Sequence, residues 1–135
     1  MSRRGEERLE VATAHGSNAV PAWWADEQYC YFTTTGRVTG RPHEIEIWFG
    51  VHDGRLYLIS GGGGWSDWVK NLRRDPEVRV RVGDDKREAT ARVLKDSGPH
   101  PARRVLAAKY QGWREGRSLS GWAAEALLIE VTLRG

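Results

Sequence analysis

Apolar and polar residues alternate along several stretches of this chain. Between His43 and Val51, the residues Ile45, Ile47 and Phe49 occupy every second position and mostly polar residues lie between them. A period of two is typical of a strand with one buried face. Segments with this pattern, or rich in aromatic and β-branched residues, predict six strands, over 28–35, 43–51, 55–60, 77–82, 86–94 and 127–133.

The connections between these strands favour antiparallel neighbours. Asp53-Gly54 is a strong signal for a tight hairpin between the second and third strands. Short helices are predicted over 68–74 and 99–110, with Asp96 or Ser97 as the cap of the second. Strands and helices do not alternate regularly, so the pattern favours a mainly β fold, a small antiparallel barrel with short helices, over a doubly wound parallel sheet.

The length of 135 residues is sufficient for one domain with a single hydrophobic core. Residues 1–19 are polar and rich in charge, so we expect an N-terminal arm followed by one domain over 20–135. The apolar runs are too short to cross a bilayer and no secretory signal is visible, which makes a cytoplasmic location the expectation. The single cysteine, Cys30, lies in an apolar strand and is expected to be a buried thiol. The four histidines lack the spacing of metal ligands.

The net charge of +3 is compatible with an acidic small molecule as ligand. Four arginines could form a basic patch for nucleic acid: Arg73, Arg74, Arg79 and Arg81. No recognition motif accompanies them, so we do not expect a nucleic-acid partner. Seven tryptophans supply large flat apolar surfaces, which suit both a core and an aromatic ligand.

Two loops combine glycines with groups that bind anions. The turn Gly36–Arg41 offers two arginines, a threonine hydroxyl and backbone N–H groups, and the run Ser60–Gly64 follows the third predicted strand. Taken singly, the first resembles an ordinary solvated turn and the second a flexible linker. Glycines also allow close approach of the backbone to a flat or charged ligand. Together the loops predict a clamp for the charged end of a phosphorylated cofactor.

Three blocks of residues follow one another between Tyr31 and Leu94. They read Thr33-Thr34-Thr35-Gly36-Arg37-x-x-Gly40-x-Pro42, then Ser60-Gly61-Gly62, then Trp68-x-x-Asn71-Leu72-x-x-x-Pro76-x-Val78. In this order they resemble the deazaflavin-dependent nitroreductase family, which belongs to the split β-barrel flavin and deazaflavin oxidoreductases related to pyridoxamine phosphate oxidases. The resemblance implies a six-stranded antiparallel split β-barrel and reduced coenzyme F-420, an 8-hydroxy-5-deazaflavin, as hydride donor.

The resemblance also implies which residues form the sites. Those that match the cofactor-binding positions of the family, or stand beside them, are Gly36, Arg37, Thr39, Gly40, Arg41, His43, Ser60, Gly61, Gly62, Trp68 and Asn71. Aromatic residues late in the chain often line the substrate in this family, so Tyr110 and Trp113 are candidates for substrate contact. No catalytic residue is assigned, because hydride transfer is chemistry of the cofactor itself. The implied substrates are quinones, nitroaromatics and other electron-poor conjugated compounds, and split barrels often form homodimers.

Two further interpretations stay open. Val38 stands where many family members have a lysine that contacts the acidic tail of the cofactor. Loss of that contact leaves room for FMN, and hence for a flavin reductase or oxidase on the same barrel. A cofactor-binding protein without catalysis is the other alternative, and it predicts tight deazaflavin binding with no turnover.

Overall fold

The computed structural model describes residues 18–94 and 99–134. Seven strands form one antiparallel sheet in this part of the chain: β1 Cys30–Thr35, β2 Pro42–Ile47, β3 Gly50–His52, β4 Arg55–Ser60, β5 Glu77–Val82, β6 Asp85–Val93 and β7 Leu127–Leu133. Their order across the sheet is β2-β1-β5-β6-β7-β4-β3. A curved antiparallel sheet with few short helices confirms the mainly β, split-barrel expectation, with one strand more than the sequence pattern predicts.

The additional strand arises because the predicted strand 43–51 is interrupted at Trp48 and Phe49. The two halves, β2 and β3, are the opposite edges of the sheet, although only two residues separate them. The sheet must therefore curl until its edges approach each other. Helix side chains take over the backbone bonding at the break, since Phe49 N donates to Tyr110 Oη at 2.9 Å and Phe49 O accepts from Lys109 Nζ at 3.1 Å.

The described residues also form five helical segments, one before β1 and four between strands. The 3-10 helices are Ala22–Asp26 and Gly63–Trp65, and the α-helices are α1 Asp67–Arg74, α2 Pro101–Gln111 and α3 Gly121–Glu125. His100 caps α2, because its Nδ1 accepts from Ala102 N at 3.0 Å. The predicted caps, Asp96 and Ser97, lie outside the described residues, as does the predicted arm up to residue 17.

Two apolar clusters fix the positions of the helices. The larger fills the barrel and includes Phe32, Leu58 and Val80, together with Val69 and Leu72 of α1. The smaller cluster lies between the outer face of β4 and β7 and α2, and comprises Tyr57, Ile59, Leu128, Ala102 and Leu106, with partly buried neighbours. Strand β4 is therefore buried on both faces, which ties α2 firmly to the sheet.

Cys30 is fully buried beneath this framework, as expected from the sequence. Burial raises the pKa of its thiol to about 12. In the described ranges, no helix has the length and apolar character needed to span a membrane. The same residues contain no group of three or more His, Cys, Asp or Glu side chains arranged to hold a metal ion.

Candidate functional site

The turn between β1 and β2 is closed by its own backbone. Gly36 N donates to Arg41 O at 2.7 Å, and Gly40 N donates to Gly36 O at 2.8 Å. Gly40 has a φ of +74°, a conformation that favours glycine. A Cβ at position 36 would lie 2.6 Å from His43 Nε2, so the imidazole packs directly over this glycine. The turn therefore needs both glycines, one for its backbone angle and one for contact with His43.

Arg37 leaves this turn and contacts α1. Its Nη1 donates to Asn71 Oδ1 at 2.8 Å, and its backbone N donates to the same oxygen at 3.2 Å. Asn71 is buried, and its Nδ2 donates to Thr34 Oγ1 at 3.1 Å. The amide of Asn71 is thus occupied in holding the turn against the helix, and its described contacts make it a support for Arg37.

The guanidinium of Arg37 also forms an ion pair with Asp67, with 3.2 Å between Nη2 and Oδ1. The Arg37 side chain is 32% exposed and that of Asp67 is 85% exposed. An ion pair this open to solvent contributes about 0–1 kcal/mol to stability. An anionic ligand at this turn therefore meets a cation that is already in place, with a carboxylate beside it.

The glycine loop, Gly61–Gly64, follows β4 and precedes α1 along the chain. Ser60 is buried, and its Oγ donates to Gly63 O at 2.9 Å and lies 3.0 Å from Ser66 Oγ. Ser60 therefore holds the loop in shape. At Gly63 and Gly64, apart from the adjoining residues, no heavy atom of the described chain lies within 4 Å of the position a Cβ would take, so this backbone faces open space.

The two loops meet at the start of α1. Ser66, the residue just before the helix, turns its hydroxyl to Ser60 at the base of the glycine loop, and the next residue, Asp67, contacts Arg37. Backbone N–H groups at a helix start favour negative charge. A cleft of about 220 Å³ lies between the turn and this helix, lined by Gly36, Arg37, Val38, Thr39, His43, Asp67 and Asn71. A second hollow, of about 470 Å³, lies on the side of the turn towards Arg74 and Asp75.

Trp48, Tyr110 and Trp122 form a group that we call the aromatic corner. Trp48 stacks on Tyr110 with 4.4 Å between ring centroids and 4° between planes, and Trp122 stands edge-on to Trp48 at 5.7 Å and 85°. Trp48 remains 38% exposed. The ring of Trp122 lies 3.8 Å from the Cβ position at Gly61. The glycine loop therefore connects the aromatic corner on one side with the Arg37 turn on the other.

Sequence reasoning identified only one member of this corner. Tyr110 lies behind Trp48, and its hydroxyl is bonded to the backbone of Phe49. Trp113 is not part of the corner, since its Nε1 donates to Arg117 O at 2.8 Å. Trp48 alternates with Ile47 and Phe49 and so falls on the polar face of the segment 43–51, and a tryptophan on such a face is the sequence signal for this corner.

Residues 3–121 match the family described as F420H(2)-dependent quinone reductase. The chain belongs to this family. The match spans most of the chain and includes the turn, the glycine loop and α1. The protein is accordingly an F420-dependent oxidoreductase, in agreement with the cofactor expected from the sequence motifs.

Solved structures support the fold assignment. A conserved hypothetical protein from Mycobacterium tuberculosis is similar with a TM-score of 0.67 and 18% identity, over 100% of this chain and 87% of that one. An F420-H2 dependent reductase, FDR-A, has a TM-score of 0.57 and 21% identity, over 76% and 92%. HutZ, the heme storage protein of Vibrio cholerae, has a TM-score of 0.59 and 14% identity, over 84% and 86%. At these identities the likeness concerns the fold alone.

The residues of this F420-dependent reductase fit its cofactor chemically. The turn presents Arg37, Arg41 and His43 toward solvent, whereas the open backbone of the glycine loop allows a planar ring to approach closely. Trp68 packs edge-on against Phe32 at 5.7 Å and is only partly buried, so one part of its side chain contacts the core while another part is accessible. A further hollow of about 570 Å³, beside Leu72, Arg73 and Leu127, has neither loop among its lining.

Proposed function

We propose that this protein transfers a hydride from reduced F420 to quinones, nitroaromatics or other electron-poor conjugated compounds. The observation that carries the proposal is the continuous series of contacts from Arg37 through α1 and the glycine loop to the aromatic corner. Such an arrangement suits an elongated ligand with a charged tail at one end and a ring at the other. When bound, the reduced cofactor supplies the hydride.

The cofactor side of the proposed site is the turn and the glycine loop. Arg37 and His43 line the cleft and would bind the acidic tail, together with Arg41, which is exposed at the end of the same turn. The polypeptide at Gly61 and Gly62 would lie against the ring, since both residues are exposed and carry no side chain. The remaining matched residues act as follows: Gly36, Thr39 and Gly40 shape the turn, Ser60 holds the loop, Asn71 holds Arg37, and Trp68 closes the core behind the ring.

The substrate side is the aromatic corner. Trp48 is 38% exposed although its ring stacks on Tyr110, and Trp122 stands beside it nearly at a right angle. Electron-poor planar acceptors stack favourably on an indole, and such contacts contribute roughly 0.5–1.5 kcal/mol beyond the area they bury. Tyr110 fixes the plane of Trp48 from behind. The corner therefore aligns an acceptor next to the ring that the glycine loop holds, which is what hydride transfer requires.

The test compares binding and turnover in the purified protein. F420 and FMN are titrated separately, and oxidation of reduced F420 is followed with a benzoquinone and a nitroaromatic compound as acceptors. Trp48→Ala should raise the KM for either acceptor about tenfold, while the F420 dissociation constant stays within about twofold. Trp23→Ala is the control, because Trp23 is 47% exposed but contacts Trp24 and Gly83 instead of the corner.

Several results would contradict the proposal. Binding of FMN in preference to F420 would point to the flavin alternative, and tight F420 binding without turnover would point to a cofactor-binding protein. A wild-type KM in Trp48→Ala would remove the aromatic corner from the substrate site.

A homodimer in the cytoplasm is the setting we propose, and a relative at 21% identity is described as a domain-swapped dimer. Light scattering on the purified chain tests that assembly.

A further inference from the structure

Arg103 on α2 is a buried cation without a carboxylate partner among the described residues. Only 2% of this residue is exposed, and within residues 18–94 and 99–134 its Nε has no hydrogen-bond partner. Burial lowers the pKa of its guanidinium, because removal from water disfavours the charged form. A buried unpaired charge is costly, and an apolar side chain of similar length would fill the same space at lower cost. Core packing alone therefore does not account for an arginine here.

The only acceptors of Arg103 in the described part of the chain are two carbonyls at the end of α3. Nη1 donates to Ala126 O at 2.8 Å and to Ala123 O at 3.2 Å. At the opposite end of α3, Ser120 Oγ donates to Gln111 Oε1 at 2.8 Å. A helix of five residues is too short to be stable alone, so its position depends on such contacts. Helix α2 thus holds α3 at both ends.

Helix α3 carries Trp122, and α2 carries Tyr110. Tyr110 sets the plane of Trp48, and Trp122 stands edge-on to that plane beside Gly61. Trp48 and Trp122 are the two walls of the aromatic corner, and the angle between their rings is therefore set by how α3 packs on α2. A displacement of α3 would move Trp122 and leave Trp48 on its support.

We infer that Arg103 is a positioning residue for the substrate: it fixes α3 so that Trp122 forms the second wall of the aromatic corner. The inference rests on the proposed function in one respect, namely that Trp122 belongs to the substrate site. Its geometric part, that Arg103 sets the place of Trp122, stands independently of any reaction. Because Arg103 itself has no described contact with either loop, it acts through Trp122.

The geometric part is tested by fluorine NMR of protein labelled with fluorotryptophan. Trp122→Phe assigns one resonance to Trp122. In Arg103→Met that resonance should shift or broaden, while the resonance of the buried Trp24 keeps its position and shows that the barrel is folded. Arg104→Ala is the matched control, since it removes an exposed arginine from the same helix and should leave every resonance in place. An unchanged Trp122 resonance in Arg103→Met would overturn the inference.

The functional part is tested by a double-mutant cycle on the KM for the quinone. Arg103→Met should raise KM about fivefold at nearly constant kcat and F420 affinity, and should add nothing further in a Trp122→Phe background. Independent, additive increases would refute action through Trp122. Should Arg103→Met not fold, Arg103→Lys retains one donor for the carbonyls and should give a smaller change of the same resonance. If the wild type reduces no acceptor, the proposed function fails, and the NMR comparison still decides the role of Arg103.

Discussion

The ion pair between Arg37 and Asp67 leads to opposite expectations for its two members. Arg37→Ala removes the cation that would bind the acidic tail of F420, whereas Asp67→Asn removes the carboxylate that competes for it. Both residues are accessible to solvent, so the pair contributes only about 0–1 kcal/mol to stability. In Arg37→Ala the backbone N of residue 37 still donates to Asn71 Oδ1, so that buried oxygen keeps a partner. Neither substitution should therefore lower the melting temperature by more than roughly 4 °C, since about 1 kcal/mol corresponds to a few degrees in a domain of this size.

The effect on binding should be much larger for Arg37. A hydrogen bond between charged groups contributes about 1.5–3 kcal/mol. The F420 dissociation constant of Arg37→Ala should therefore be roughly 10- to 150-fold higher than that of the wild type. Asp67→Asn should tighten binding by up to about fivefold, because at most about 1 kcal/mol of competing attraction is removed. Asn71 keeps its 2.8 Å contact with Arg37 in that variant, so the guanidinium stays aimed at the cleft.

Fluorescence titration of F420 at low and moderate salt measures both effects. Asp84→Asn is the control for charge, since Asp84 is exposed in the β5–β6 turn and lines neither hollow beside Arg37. The difference between wild type and Arg37→Ala should shrink as salt rises, because exposed charges are screened. An unchanged dissociation constant in Arg37→Ala, or weaker binding in Asp67→Asn, would refute this account of the turn.

Three further predictions concern stability and reactivity. Tyr110→Phe should destabilise the fold by roughly 1–3 kcal/mol in urea denaturation, because the hydroxyl bonded to Phe49 N is lost. A change in the free energy of unfolding below a few tenths of a kcal/mol would contradict the account of the strand break. Cys30 should not react with iodoacetamide in the native protein, since burial raises its pKa to about 12, and labelling at the unfolded rate would show otherwise. Burial, together with the nearby His52, lowers the pKa of His100 below its usual 6.5. The unfolded chain therefore binds this proton more tightly than the folded one, and the stability of the fold decreases as the pH falls from 6.5 through the lowered pKa of His100. His100→Asn, which keeps a cap but does not titrate there, should lose less stability than wild type between neutral pH and about pH 5 in thermal melts, and parallel losses would exclude His100 as the cause.

Local patterns in the sequence were sufficient for most of the strands. The alternation over Glu77–Val82 predicted β5 with its observed bounds, because the two-residue period depends only on which face is buried. Asp53-Gly54 predicted the hairpin, and both residues have the positive φ that such a turn requires. The ordered motifs of the turn, the glycine loop and α1 also indicated the family, and with it the cofactor.

The break at Trp48 and Phe49 could not be predicted in this way. The alternation continues through both residues, and the strand is interrupted only because Tyr110 and Lys109 satisfy the backbone of Phe49. Those groups come from a helix that is distant in sequence. The same break places Trp48 at the edge of the barrel, where it stacks on Tyr110.

The sequence by itself determined the residue types of the site, two glycine loops with cations and an abundance of tryptophan. Only the tertiary structure decided which of them meet: Arg37 with Asp67 and Asn71, and Trp48 with Trp122. The physical reason is the distance along the chain over which each kind of interaction acts. Strand period and turn chemistry act between neighbours along the chain, whereas ion pairs and ring stacking depend on packing that brings remote segments together.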